Sequence, residues 1–150
     1  MSKRILIVDD AARSAMSILF NNQELVLLRK YATTNSNVKV RTEENDIENY
    51  LQSVVYRKQQ IEAITYISAK GHVFTTIHDS EHYDFVDVEQ LPYIKQAETY
   101  GGSSFLIRDD QMSYYKLSKP PHISLVRAIR DPINFKILGI MKIDFQNTYI

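Results

Sequence analysis

The chain contains no cysteine, which excludes thiol nucleophiles, thiolate metal sites and disulfide staples and leaves the redox compartment open. It also lacks a net charge, since 18 Lys and Arg balance 18 Asp and Glu, so no global field draws it to nucleic acid or to an anionic membrane. Any partner must be recognised locally. No stretch reaches the roughly 18 consecutive apolar residues of a membrane span, and the first residues read as a short β-rich run rather than a signal peptide. Glycine is scarce, with 4 in 150 residues. There is no Gly-rich phosphate cradle, no Gly-x-Ser-x-Gly elbow and no credible Ser/His/Asp set, so hydrolase chemistry has no support.

What remains is enough for one ordinary core. A chain of 150 residues that is 44% hydrophobic and 11% aromatic has the length of a single domain. Lys3 to Val8 forms a short apolar run ending at Asp9-Asp10, consistent with a buried strand. From about Ala11 to Tyr31 the residues Met16, Ile18, Leu19, Leu25, Val26, Leu28 and Tyr31 predict a helix with a wide apolar face. After the polar break Thr33 to Arg41, Thr42 stands where an N-cap belongs, with two glutamates in the first turn after it. In the second helix Ile47, Tyr50, Leu51, Val54, Val55 and Ile61 fall close to i, i+3, i+4, i+7, i+8. The period then drops to two, and Ile64 to Ala69, Lys70-Gly71 and Val73 to Ile77 predict a β-hairpin centred near Gly71.

His78 to Pro92 is acidic and aromatic with little periodicity, and Tyr93 to Tyr100 can hold a short helix ending at Gly101-Gly102. Further strand candidates are Ser104 to Arg108, His122 to Arg130 and Lys136 to Phe145, the last two joined through Asp131-Pro132. The order predicts an α+β fold: helices first, then an antiparallel meander of about five strands with one long excursion.

Two ends of the chain point in different directions. Ile5-Leu-Ile-Val-Asp-Asp10 resembles the first strand of a response-regulator receiver domain, where adjacent acids at a strand end hold Mg²⁺ through hard oxygen ligands. That family needs a phosphoacceptor Asp about 45 residues later and a Lys-Pro near the end. Tyr50 to Gln60 has no Asp, Asp46 lies in the polar opening of a helix, and Lys119-Pro120 precedes a strand. The strand-helix alternation of a parallel sheet also stops after Gly71. A phosphoacceptor receiver is therefore the alternative reading, and residues 1–15 are expected to be a leader, tag or fusion remnant.

The rest of the chain carries a different likeness. The two helices, Ile64-Thr-Tyr-Ile-Ser-Ala-Lys-Gly71, the long excursion, Ser124-Leu-Val-Arg-Ala-Ile-Arg-Asp131 and Ile137-Leu-Gly-Ile-Met-Lys-Ile-Asp144 together resemble the extracytoplasmic Cache sensor domain of YesM-like sensor histidine kinases. The matching features are the Gly71 hairpin, Arg127 to Ile129, and Gly139 with Asp144. Phe105 stands where relatives often carry a Trp, and the Arg-x-Trp-Tyr core of amino-acid-binding members is missing. The resemblance implies helices over 16–62 packed on a PAS-like sheet over 63–150. One face of that sheet meets the helices, and the other, under the excursion, forms a ligand pocket. It further implies an extracellular, non-catalytic domain of a membrane kinase in a two-component system, the kinase region and membrane spans being absent. The signal would be an unknown small molecule or peptide, with no cofactor, metal or nucleic acid. A structural interaction module without a ligand is a second alternative.

Strand alternation then nominates residues. Ile64, Tyr66 and Ser68 share one face of their strand and Thr65, Ile67 and Ala69 the other; the Tyr66 set, being more polar, is assigned to the pocket. Arg127 can present a bidentate fork to a carboxylate or phosphate, or form a salt bridge with Asp110 or Asp144. Tyr114 and Tyr115 can line a pocket mouth or simply cover the core with their hydroxyls in water. Asp144 can accept a ligand amine or cap a turn or helix after the last strand. His78-x-x-x-His82 has a spacing that could share a metal on a helix, but reads as a solvated acidic loop. The ligand-binding candidates are thus Tyr66, Phe105, Tyr115 and Arg127. Leu25, Leu28 and their neighbours exceed what one small sheet needs to cover, which suggests a homodimer through the first helix.

Overall fold

The computed structural model describes residues 20–77, 82–100, 105–109 and 122–146. The helices come first. Asn21 has extended backbone, and its side chain accepts a hydrogen bond from the Glu24 amide at 2.9 Å while the Glu24 carboxylate accepts from the Asn21 amide at 2.8 Å. This reciprocal capping box satisfies two of the donors that a helix start leaves over. Helix α1 (Asn22–Thr33) begins there, so Phe20 and Asn21 are outside it, and residues 11–19 of the helix expected from about Ala11 to Tyr31 lie outside the described residues. Helix α2 (Arg41–Arg57) is capped differently from the sequence expectation: Val40 is the N-cap and Thr42 lies inside the helix. A tertiary contact replaces the local cap. The Tyr31 hydroxyl accepts from the Val40 amide at 2.9 Å and donates to Glu43 at 2.8 Å, and Lys30 reaches the same Glu43 oxygen at 2.7 Å.

Five strands form one antiparallel sheet in the order β2, β1, β5, β4, β3. They are β1 (Ile61–Ser68), β2 (Val73–Thr75), β3 (Phe105–Asp109), β4 (His122–Arg130) and β5 (Ile137–Phe145). The α+β architecture of helices followed by a five-stranded antiparallel sheet is the one the sequence predicts, but the strands do not run as a meander: β1 pairs with β5, and β2 and β3 lie at opposite edges. The β1–β2 hairpin turns at Gly71, whose φ of 102° lies in the left-handed region and whose Cα sits too close to the Val86 carbonyl for any Cβ. Between β2 and β3 the excursion carries a short 3-10 turn (Val88–Gln90) and helix α3 (Pro92–Tyr100).

The sheet is buried on both sides, by different partners. On one face Ile64, Tyr66, Phe74, Leu125, Met141 and Ile143 pack with Leu27, Leu28 and Tyr31 of α1 and Ile47, Leu51 and Val54 of α2. On the other, Ile67, Val73, Phe105, Val126, Ala128 and Ile140 pack with Val86, Leu91, Tyr93 and Ala97 of the excursion. Leu28 is fully buried in the first cluster and Leu25 packs against it, while Val26 stays 59% exposed.

Three contacts fix the periphery. Buried His72 joins the hairpin to the helices, with Nδ1 2.8 Å from the Ser68 hydroxyl and Nε2 2.6 Å from the Ser36 carbonyl. The outer edge of β2 is occupied by side chains: Thr75 N–H donates to Glu48 at 2.8 Å, and the Lys39 ammonium donates to the Val73 carbonyl. Such pairing blocks strand addition at that edge; burial, with Glu44 nearby, pushes the Glu48 carboxyl above its ordinary range. In the β4–β5 turn the buried Asp131 carboxylate receives Arg29 of α1 through two bonds, of 2.7 and 3.1 Å. That turn also holds Phe135 at φ 61°, a left-handed conformation unusual for a bulky residue.

Candidate functional site

The candidate site is built by strand register. Thr65 pairs with both Thr75 and Lys142, Lys142 with Val126, and Val126 with Phe105. Paired residues point to the same side of a sheet, so Thr75, Thr65, Lys142, Val126 and Phe105 form one row across the excursion face. A neighbouring row on that face contains Ala63, Asp144, Ser124 and Ile107. The two rows bring five polar side chains together in the middle of a buried surface. Thr65, Thr75, Ser124, Lys142 and Asp144 are each fully buried.

Their hydrogen bonds explain how they tolerate it. The Lys142 ammonium lies 2.7 Å from Asp144 Oδ1, and the Ser124 hydroxyl donates to the same oxygen at 2.6 Å. Thr65 and Thr75 hydroxyls meet at 2.9 Å, and Thr75 Oγ1 also accepts from the Ile77 amide at 3.2 Å. Removing two charges from water costs several kcal/mol per ion, which only close contact and added hydrogen bonds offset. The described members of the cluster are thus a carboxylate, an ammonium and three hydroxyls. Its apolar flank is aromatic: the Tyr100 ring stacks on Phe105 with centroids 4.9 Å apart and 23° between planes.

The sequence candidates are divided between the faces. Phe105 lies under the excursion as required for a pocket. Tyr66 does not. It is fully buried on the helix face, between Phe74 and Met141 in register, with its ring 6.2 Å from Phe20. The more polar set of β1 therefore faces the helices, which corrects its assignment to the pocket. The reason is Gly139 on the adjacent strand, where any Cβ would lie 2.5 Å from the Tyr66 hydroxyl; the missing side chain makes room for the phenol. Burial pushes the Tyr66 phenol far above its ordinary value, and its oxygen has no hydrogen-bond partner among the described residues.

Arg127 is also on the helix face, in the same row as Tyr66, because both pair with Met141. It is half-buried there. The expected alternative of a salt bridge to Asp144 fails for the same reason, since Asp144 points to the opposite side and binds Lys142 and Ser124. Asp144 is a buried member of β5, and residues 147–150, where a turn or helix for it to cap was expected, lie outside the described residues. Tyr114, Tyr115, Asp110, His78 and the Asp9-Asp10 pair lie outside the described residues. Among the described residues no group of three or more His, Asp or Glu side chains could hold a metal ion, and no helix is long and apolar enough to cross a membrane.

Lys142, Ser124, Thr65 and Thr75 are not among the sequence candidates. One signal for them exists. Lys142 and Asp144 stand two apart inside the apolar run Ile137 to Phe145, so a strand must place both charges on one face, and a buried strand must pair them.

The sequence matches no protein-family model and no curated protein. Solved structures share its fold. The ligand-binding domain of the Campylobacter jejuni chemoreceptor Tlp3, in complex with 4-methylisoleucine, is similar with a TM-score of 0.57 at 15% identity, over 94% of this chain and 53% of that one. The sensory domain of the same receptor with isoleucine bound gives a TM-score of 0.53 at 14% identity, over 95% of this chain and 62% of that one. The ligand-binding domain of the Pseudomonas fluorescens chemoreceptor CtaA with L-isoleucine gives 0.50 at 17% identity, over 93% and 51%. At such identities the likeness establishes the fold. The chain spans roughly half to three-fifths of the length of these domains.

Proposed function

We propose that this chain is a ligand-sensing domain of the Cache type, and that its ligand is held on the excursion face around Lys142, Asp144, Ser124, Thr65 and Phe105. The observation that carries the reading is the polar cluster buried on that face of a fold shared with chemoreceptor ligand-binding domains. A sheet that served only as scaffold would fill these central positions with apolar side chains. The finer reading is an extracellular sensor module of a YesM-like histidine kinase in a two-component system. In it residues 1–15 are an appendage, 16–62 the helices and 63–150 the sensing sheet, and the membrane is reached through flanking segments. The fragment itself would be non-catalytic. Tyr115 belongs to the chain segment between β3 and β4 and remains a candidate for the pocket mouth.

The route outward is the Asp131–Arg29 contact. A ligand that alters the packing of β4 and β5 shifts the turn they share, and that turn holds α1 through two hydrogen bonds. Dimerisation through α1 would then transmit the shift between copies, with Val26, 59% exposed, on the outward side of the helix. A thermal-shift screen of sugars, carboxylates, amino acids and short peptides tests the sensing claim. A saturable rise in melting temperature with one chemical class is expected, and uniform silence would favour an interaction module without a ligand.

A further inference from the structure

We infer that His72 is a proton-operated clasp between helix α1 and the β1–β2 hairpin, which makes pH an input to this fold independently of the ligand proposed above. The ring is fully buried, and three oxygens face its two nitrogens. Nε2 lies 2.6 Å from the Ser36 carbonyl, while Nδ1 lies 2.8 Å from the Ser68 hydroxyl and 3.1 Å from the Tyr31 carbonyl. A carbonyl only accepts, so the Ser36 contact fixes a proton on Nε2. The Tyr31 contact needs a second proton, on Nδ1, and a ring that carries both is the imidazolium. The neutral ring keeps Ser36, accepts from the Ser68 hydroxyl at Nδ1, and turns a lone pair toward the Tyr31 carbonyl. One bond to α1 is thereby made or lost with one proton.

The position of that bond gives it leverage. Tyr31 stands in the last turn of α1, where carbonyls lack intrahelical partners and form the negative end of the helix dipole. The Lys30 carbonyl there is taken by the Thr34 amide and hydroxyl, and the Tyr31 carbonyl has His72. A cation at this point caps the helix and complements its dipole. Ser68 fits either state, since its hydroxyl accepts from the His72 amide at 3.0 Å and can donate to Nδ1 or accept from it. The groups packed on the ring are otherwise uncharged: the Tyr31 ring of α1 at 5.1 Å and the Phe85 ring of the excursion at 5.6 Å. The charged groups next to them are Lys39, bound to the Val73 carbonyl, with Glu44 and Asp84 beside it, His82 at 3.7 Å from Asp84, and exposed Lys70 in the hairpin turn.

Imidazoles change charge between about pH 5 and 8, and NMR titration of the intact chain over that interval tests the clasp. The His72 ring nitrogens, assigned through the backbone, are expected to show the neutral Nε2–H form at the upper end and the imidazolium at the lower. The Tyr31 carbonyl carbon should move in the same transition. Protection of the last-turn amides of α1 against hydrogen exchange, corrected for the intrinsic effect of pH, should rise about fivefold on acidification. His72→Gln should abolish that rise. A ring that holds one charge state throughout the interval would overturn the clasp, whether or not the variant folds. So would a titration that leaves the Tyr31 carbonyl unmoved, or a rise in protection that survives in His72→Gln and so belongs to another group such as Glu48.

Discussion

The helix face and the excursion face of the same sheet both exclude water, yet they treat polar groups in different ways. Beneath the helices Tyr66 Oη is admitted by the absence of a side chain at Gly139 and has no hydrogen-bond partner among the described residues, while buried Ser68 and His72 bond to each other and His72 to the Ser36 carbonyl. Beneath the excursion five polar side chains are held by short mutual bonds, including an ion pair at 2.7 Å. One face is a largely apolar core. The other is organised around polarity, and a buried charge pair is weak evidence for stability because apolar replacements of equal volume often do as well or better. Its retention in the middle of a sheet therefore points to a task other than holding the sheet together.

Breaking the excursion face is expected to give the largest effect. Asp144→Asn removes the counter-charge of Lys142 and should cost about 3–5 kcal/mol in urea unfolding. The double change Lys142→Met with Asp144→Leu should restore most of that stability while abolishing ligand response. Full stability loss in the double variant would mean that the pair is scaffold after all. Next in size is the close approach on the helix face: Gly139→Ala places a Cβ 2.5 Å from both Tyr66 Oη and the Ile67 carbonyl, and overpacking of this kind costs about 1–3 kcal/mol. Adding Tyr66→Phe should relieve only part, because the backbone carbonyl stays. Tyr66→Phe alone should be neutral or up to about 1 kcal/mol stabilising, since it deletes a buried hydroxyl without a hydrogen-bond partner. A loss above that figure would show that the phenol has a bonding role the packing does not reveal.

The same contrast explains what is legible in the sequence. Periodicity locates the helices, the hairpin at Gly71 and the strands of the sheet, because burial on one face leaves a pattern that any such element must carry; the pairing of β1 with β5 it does not show. It does not say which face of β1 meets the helices. Polarity fails as a guide at Tyr66, since a phenol with a glycine opposite it can be buried as an apolar ring. Tyr66 and Arg127 do share a face, but it is the helix face and not the pocket face. Thr42 misleads as a cap because the Tyr31 hydroxyl, twelve residues before Glu43 in sequence, supplies the N-terminal acceptor from another helix, which no local motif announces. The Asn21 capping box is spelled in the letters Asn-x-x-Glu, yet it sits within a longer apolar pattern that hides it. Lys142 and Asp144 are legible as a pair only through their i, i+2 spacing in a buried strand.

The smallest expected effect concerns an aspartate on the helix side, and it sharpens the contrast with Asp144. Asp131 is also buried and also bound to a cation, but its partner Arg29 comes from α1 and is 35% exposed at the side chain. The Arg29 hydrogen bond, with help from the Ile133 amide, holds the Asp131 carboxyl below its ordinary range. A carboxyl with a lowered folded-state value contributes stability that is fully present above the unfolded value, about 3.9, and is lost as pH falls through the folded value. Stability should therefore decline in acid below about pH 4 with a component due to this contact, and Arg29→Ala should flatten that component by lowering neutral-pH stability by the same small amount, as for other partly solvated pairs. Melting curves between neutral pH and about pH 3 would measure it. An acid slope that persists unaltered in Arg29→Ala would mean that Asp131 is held by its own turn alone, through the Ile133 amide, and that α1 is not tied to the β4–β5 turn strongly enough to report on what the excursion face binds.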